Sequence, residues 1–274
     1  MDLGKFNYSR IGSGPPVLFV NGVYQRRQAW EPIANALASS FEVILFDFPN
    51  QSLDLNGGSA DPSFDRPEQY EGYVLELLEA LSLDPGDVMA CGLSFGSGLL
   101  RSLHLRRNVD FKKLVLMGAY PPELTGFNKL FNKVFKQTLE THGLDCYASM
   151  ICFWFFSHKW LGDNPMAHAL IVSRYRTMFA DGESIHALFR ATAAEQERGV
   201  PGGKMRCDTV FVNGIEDAVS PPQQMESYAK SVGAGFRSIA GGHVFTGENP
   251  ALAAALLRDI FTQRASMHHY EATK

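Results

Sequence analysis

The sequence predicts an α/β fold, a mostly parallel sheet wrapped by helices, with a helical lid inserted late in the chain. Short apolar runs without polar alternation are what strands covered on both faces look like. Helical stretches separate those runs, as crossovers between parallel strands require. One long interval then breaks the alternation and carries helical patterns alone. In order, residues 16–21 (PVLFVN) read as the first buried strand, ending at the turn signal Asn21-Gly22. Residues 30–39 follow as helix, and 43–48 (VILFDF) as the next strand, stopped at Pro49. Residues 67–81 are helical, 88–93 (VMACGL) a strand, 98–106 a helix and 113–117 (KLVLM) a strand. After the break come strand 209–213, helix 222–231, a weaker strand 236–240 and helix 250–261.

The break runs from residue 121 to 206. Phe127, Leu130, Phe131, Val134 and Phe135 stand at i, i+3, i+4, i+7 and i+8, an amphipathic stripe. Pro121-Pro122 opens the segment and Pro201-Gly202-Gly203 closes it. The expected division is therefore a core of residues 1–120 and 207–274 and a lid of 121–206, with a frayed polar tail from 264.

Composition removes several classes of function. Of 274 residues, 45% are hydrophobic and 20% charged, an ordinary globular balance that excludes disorder and small stapled scaffolds. Lys and Arg number 25 against 29 Asp and Glu, a net charge of −4 with no general attraction for nucleic acid or anionic membrane. Cys91, Cys146, Cys152 and Cys207 form no CxxC and fit reduced thiols. There is no basic-then-apolar leader and no run near the ~20 apolar residues of a spanning helix. The expectation is a soluble, cytoplasmic protein. No phosphate-binding glycine loop and no His/Asp/Glu cluster is present, so neither a cofactor nor a metal is expected.

The chemistry concentrates at Gly92-Leu93-Ser94-Phe95-Gly96, between a strand and a helix. Gly-x-Ser-x-Gly in that setting is a nucleophile elbow. The serine sits in a strained turn, and its neighbours two before and two after must lack bulk. The helix behind it favours developing negative charge. A serine hydroxyl needs a base to take its proton. In a strand–turn–helix site of this kind the partners follow in the order Ser, acid, His. His243, in Ala240-Gly241-Gly242-His243, is the candidate base, since His268 and His269 lie in the tail. Asp217 follows the strand at 209–213, at the carboxyl edge where open α/β sheets keep their sites. It is the candidate acid. Glu216 competes but is expected to face solvent, Glu123 is a remoter alternative, and Asp208 starts its strand at the wrong end. An oxyanion hole needs two backbone N–H donors, expected from Phe95 and from Val23 in the loop Asn21-Gly22-Val23-Tyr24. Asn21, by side-chain hydrogen bonds, is read as an anchor of that loop. Asp47 ends the second strand and is expected to tie down loop backbone.

On these residues the chain resembles the α/β-hydrolase fold superfamily. Within it, the sequence is similar to the hydroxyacyl-ester synthases of rhamnolipid biosynthesis. That similarity lies in Val17-Leu18-Phe19-Val20-Asn21-Gly22, in Phe41 to Pro49 with Gln51-Ser52, in Phe211-Val212-Asn213-Gly214 through Asp217, in Gly242-His243-Val244-Phe245 and around residues 189–199. The elbow departs from that pattern at Gly92 and Phe95, and the lid is largely different. The resemblance implies transfer of 3-hydroxyacyl groups from thioester carriers.

The substrate is then a small molecule, a hydrophobic acyl ester or thioester, offered free, on coenzyme A or on an acidic acyl carrier protein. Asn21, Gly22 and Tyr24 in the loop, and Phe127, Phe131 and Trp154 in the lid, are the candidates to contact it. Lid cations Lys129, Lys133, Lys136, Lys159, Arg174 and Arg176 are a candidate face for an acidic carrier. The acceptor is water or an alcohol. A non-catalytic binding homologue and a lyase on the same scaffold are the rival readings.

Overall fold

The computed structural model describes residues 3–51, 61, 63–122, 125–180 and 182–263. Ser52, Glu123, His268, His269 and the tail from 264 lie outside the described residues. The chain runs β1 (Asn7–Gly12), β2 (Pro16–Val20), α1 (Glu31–Leu37), β3 (Glu42–Asp47), α2 (Pro67–Ala80), β4 (Met89–Leu93), α3 (Phe95–Arg106) and β5 (Lys113–Met117). Then follow α4 (Gly126–Phe155), α5 (His158–Asp163), α6 (Ala167–Met178), α7 (Glu183–Glu197), β6 (Thr209–Gly214), α8 (Pro222–Ser231), β7 (Gly235–Ile239), α9 (Phe245–Glu248) and α10 (Pro250–Thr262).

The strands form one sheet in the order β1-β3-β2-β4-β5-β6-β7. All neighbours are parallel except β1, which pairs antiparallel with β3. Every expected run became a strand, with ends moved by a residue or two. β1 was not anticipated. Its sequence, NYSRIG, is polar and half-exposed, and a bidentate Arg10–Glu42 pair (2.7 and 2.9 Å) ties it to β3.

Side chains alternate between two apolar layers. Leu18, Val20, Ile44, Phe46, Leu114 and Leu116 face one side of the sheet. Val17, Phe19, Val43, Leu45, Val115 and Met117 face the other. Because β4 and β5 are buried on both faces, they show no polar alternation. β2 is flanked by β3 and β4, so the connections leave β2 and β4 in opposite directions. In open α/β sheets such a switch point, beyond the carboxyl ends of the strands, is where ligands bind.

Between β5 and β6 the described chain is helical, α4 to α7, and α4 bends at Gly143 (φ 77°). No helix among the described residues is long and apolar enough to cross a membrane. The inserted α7 is bound to the core through an ionic cluster. Arg198 Nη1 donates to Glu71 Oε1 and to Glu195 Oε2, both at 3.0 Å, and both carboxylates are nearly fully buried. Burial, opposed by Arg198 and reinforced by Glu71, pushes Glu195 from 4.5 up to about 7. The folded state therefore holds that proton more tightly than the unfolded chain. The stability this contributes is present below about 4.5 and is lost as pH rises to about 7. Glu195→Gln cannot titrate. The variant's melting temperature minus the parent's should therefore climb across that interval, measured by thermal denaturation at a series of pH values. A flat or falling difference would contradict the assignment.

Candidate active site

Ser94 stands between β4 and α3 with φ 53° and ψ −112°, a backbone conformation that costs a residue bearing a Cβ about 1–3 kcal/mol. The turn is tight enough that its glycines are obligatory. A Cβ on Gly92 would lie 2.6 Å from the Gly96 carbonyl oxygen, and one on Gly96 would run into the Val20 carbonyl oxygen. The Ser94 N–H donates to Met117 O at 2.8 Å, which fastens the elbow to the end of β5. Ser94 is half-buried at the N-terminus of α3.

His243 and Asp217 meet as expected. His243 Nδ1 lies 2.9 Å from Asp217 Oδ2, and both side chains are buried. The other carboxylate oxygen accepts the N–H groups of Val219 (2.9 Å) and Ser220 (2.7 Å). Those bonds fix the carboxylate, so His243 donates its Nδ1–H to it and leaves Nε2 as the free lone pair. Nε2 is buried and makes no hydrogen bond among the described residues. Gly118 (φ 53°), directly after β5, leaves room for the ring, since a Cβ there would sit 3.1 Å from His243 Cε1. Ser94 and His243 thus flank the same Met117–Gly118 corner. Their mutual hydrogen bond is the one link left unformed, and such bonds commonly tighten only around substrate. Glu216 is exposed and accepts the His158 N–H, as its expected solvent-facing position implies. Asp208 pairs with Lys113 (2.9 Å) at the opposite end of the sheet.

The loop after β2 supplies the second half of the site. A Cβ on Gly96 would also lie 2.7 Å from Asn21 O, so this loop is pressed against the start of α3. Among the described residues, neither the Val23 nor the Phe95 N–H has an acceptor in the protein. Two such donors on touching segments beside Ser94 are what an oxyanion needs.

Two expectations require correction. Asn21 has no free side-chain group to offer a substrate, because its amide is fully buried and engaged. Asn21 Nδ2 donates to Phe46 O (2.9 Å), Gln51 Oε1 (3.0 Å) and Asp47 Oδ1 (3.3 Å), and Oδ1 accepts the Trp30 Nε1–H at 2.9 Å. It is the loop anchor that the sequence also allowed. Gly22 is corrected with it. Its N–H goes to Gln25 Oε1 (3.0 Å) and its carbonyl is taken as well, so it offers substrate no free group. Asp47 ties down backbone as expected, accepting Arg27 N–H at 2.7 Å, and burial raises its carboxyl to about 6.

The inserted helices bring an aromatic track to the histidine. Phe155, at the end of α4, presents its ring to His243 at 5.0 Å. Phe135 stacks on Phe155 (6.2 Å) and Phe131 on Phe135 (4.1 Å). Trp154 and then Phe127 continue outward at 5.6 and 6.1 Å. Phe127 is 46% exposed, so it marks the outer end rather than the reacting centre. Tyr24 joins a branch of this cluster, its hydroxyl bonded to that of Tyr147, and burial holds its phenol well above the usual range. A separate open groove of about 560 Å³, lined by Pro121, Pro122, Gln223, Gln224, Ser227 and Tyr228, contains none of Ser94, Asp217 and His243.

Three contributors escaped the sequence reading: Gly118, Gln51 and Glu248. Gln51 donates from Nε2 to Gly22 O (2.8 Å) and Val23 O (3.0 Å). Glu248 accepts from Ser157 N (2.8 Å), Ser157 Oγ (2.6 Å) and Gly242 N (2.9 Å), joining the inserted helices to the histidine loop. Each acts through contacts distant in sequence, which no local pattern encodes.

Comparison with solved structures returns the same fold. A thermophilic esterase from Thermogutta terrifontis superposes with a TM-score of 0.76 at 20% identity, covering 93% of this chain and 92% of its own. The enol-lactonase from Burkholderia xenovorans LB400 gives 0.76 at 19% identity, covering 94% and 96%. MGS-M2, an alpha/beta hydrolase from a Medee basin deep-sea metagenome library, gives 0.79 at 15% identity and 97% of both chains. No curated protein matches the sequence. The sequence profile of the alpha/beta hydrolase family matches residues 17–256, and the chain belongs to that family of enzymes.

Proposed function

We propose that the chain performs serine-dependent acyl transfer through an acyl-enzyme on hydrophobic acyl esters or thioesters, with 3-hydroxyacyl groups as the preferred donors. The observation that carries the reading is His243, oriented by Asp217 and with an unpartnered Nε2, at the same corner as the strained Ser94. Ser94 Oγ attacks the acyl carbonyl carbon while His243 Nε2 takes the hydroxyl proton. The carbonyl oxygen becomes an oxyanion held by the Val23 and Phe95 N–H groups. Collapse expels the thiol or alcohol, which receives the proton from His243. Water or a hydroxyl group, deprotonated by His243, then releases the acyl chain.

The donor's class follows from the track of Phe155, Phe135, Phe131 and Trp154, an apolar path that ends on the histidine. The 3-hydroxy group rests on the resemblance to hydroxyacyl-ester synthases. A coenzyme A or acyl carrier protein thioester is the matching donor. Of the lid cations, Lys136, Lys159 and Arg176 are already paired with Glu140, Asp163 and Asp145, which leaves Lys129, Lys133 and Arg174 to meet an acidic carrier. The second reading is plain ester hydrolysis, favoured by the esterase and lactonase among the similar structures.

Early quenching with a 3-hydroxyacyl thioester, followed by mass spectrometry, separates the readings. An adduct on Ser94 with a dimeric hydroxyacyl ester released supports transfer. An adduct with only free acid supports hydrolysis. No adduct removes the nucleophile and with it both. The track makes its own prediction. Trp154→Ala should lower kcat/KM for a dodecanoyl ester roughly 10-fold or more and leave an acetyl ester within about 3-fold, since each buried methylene contributes about 0.8 kcal/mol. Equal losses on both esters would place the acyl chain elsewhere.

A further inference from the structure

We infer that Gln51 is a positioning residue for the oxyanion hole, aiming the Val23 N–H by holding the carbonyl on the other side of the same peptide plane. The inference rests on the acyl-transfer reading above. A trans peptide unit is rigid, and its C=O and N–H point in opposite directions. The unit that carries the Val23 N–H carries the Gly22 carbonyl. Gln51 Nε2 donates to that carbonyl at 2.8 Å, and Gln25 N–H reaches it at 3.2 Å. Fixing the carbonyl therefore fixes the direction of the N–H. The same Nε2 donates to Val23 O at 3.0 Å, which holds the next plane. One side chain thus holds both planes, with the Gln25 N–H as a second, longer hold on the first.

The side chain doing this cannot wander. Gln51 is 2% exposed, and its Oε1 accepts Asn21 Nδ2 at 3.0 Å. Asn21 is held in turn by Trp30, Phe46 O and Asp47. The amide is used completely, with two donor bonds into the loop and one acceptor bond into the anchor. No apolar packing argument calls for a glutamine at a buried position, where an unpaired amide would cost about 1–3 kcal/mol. Its role is directional. Among the described residues Val23 N–H has no acceptor of its own, so its direction is set from the carbonyl side of the plane, where Gln51 makes the shorter bond and the Gln25 N–H the longer one.

The test compares Gln51→Ala and Gln51→Glu with wild type on a chromogenic acyl ester and on phenylboronic acid. The boronic acid takes Ser94 Oγ onto boron and places an oxygen in the hole, with the serine proton passing to His243. Loss of aim weakens the transition state and not ground-state binding. Gln51→Ala should lose roughly 10- to 100-fold in kcat with KM within about 3-fold, and its boronate inhibition constant should rise by the same factor as kcat/KM falls. Gln51→Glu keeps the shape and guards against a variant that fails to fold. Ionised, it repels the two carbonyls, and protonated, it donates to one of them again. Its activity relative to wild type should therefore recover as pH falls. Asp47, which shares Asn21 Nδ2 with this side chain, and Arg26 and Arg27 beside it face the network, so a carboxylate at position 51 couples to Asp47 and the recovery reports the pair rather than one group. A folded Gln51→Ala with unchanged kcat, or one that loses through KM or melting temperature alone, overturns the assignment, as does a pH-independent Gln51→Glu ratio. A wild type that neither cleaves esters nor labels with a fluorophosphonate overturns the acyl-transfer reading, and this assignment falls with it.

Discussion

Ser94→Ala is expected to lower kcat/KM for ester cleavage by roughly 10⁴-fold or more and to abolish labelling by a fluorophosphonate. Nothing else at the elbow can replace the lost oxygen. Ser97, the other hydroxyl nearby, is fully buried and donates to Gly92 O and Met117 O, both at 2.7 Å. The variant should stay folded. Alanine keeps the Cβ that already tolerates φ 53°, and the Ser94 N–H bond to Met117 O does not involve the side chain. Retained melting temperature with lost turnover is therefore the signature. Residual activity within about 10-fold of wild type would mean that the serine is not the nucleophile.

The second large effect is Asp217→Asn, expected to cost about 10³- to 10⁴-fold in kcat. Asp217 Oδ1 is held by the N–H groups of Val219 and Ser220, so the asparagine oxygen takes that position. Its NH₂ group then faces His243 Nδ1, where the carboxylate had accepted at 2.9 Å. The imidazole must turn its lone pair to Nδ1 and its proton to Nε2, and Nε2 can no longer act as base. Glu216→Gln is the matched control. Its side chain is exposed and meets His158 N–H, so kcat should stay within about 2-fold of wild type. Steady-state kinetics on both variants decides it, and a reversal of the two effects would exchange the acid.

Much of this arrangement is written locally in the chain. Residues 88–106 show a buried run, two glycines around a serine and a helix, and each feature is demanded by the atoms next to it in sequence. Asp217 and His243 were legible because a strand's carboxyl end and a glycine-rich loop place them at one edge of the sheet. β1 was not legible, because a half-exposed edge strand needs no apolar run and owes its existence to β3. Asn21 was read two ways, and only its four partners decide that it anchors rather than touches substrate. Gln51 carries no local signal, since its partners lie in a loop that ended nearly thirty residues earlier. α3 begins at Phe95, earlier than its apolar pattern suggests, because the turn at Ser94 itself starts the helix.

Glu248 bears on how this scaffold could be diversified. One carboxylate receives both the inserted segment, at Ser157, and the backbone just before His243, at Gly242. The Val244 N–H adds a bond to Phe155 O at 3.1 Å. The inserted helices and the His243 loop are thus spliced at a single joint. A laboratory chimera that exchanges the helices for those of another hydrolase, to change what the enzyme accepts, has freedom along most of α4 to α7. It has none at this joint. A graft without a serine-like pair of donors opposite Glu248 leaves its carboxylate with the Gly242 N–H alone, and such a chimera would loosen the loop that carries His243 along with its old specificity.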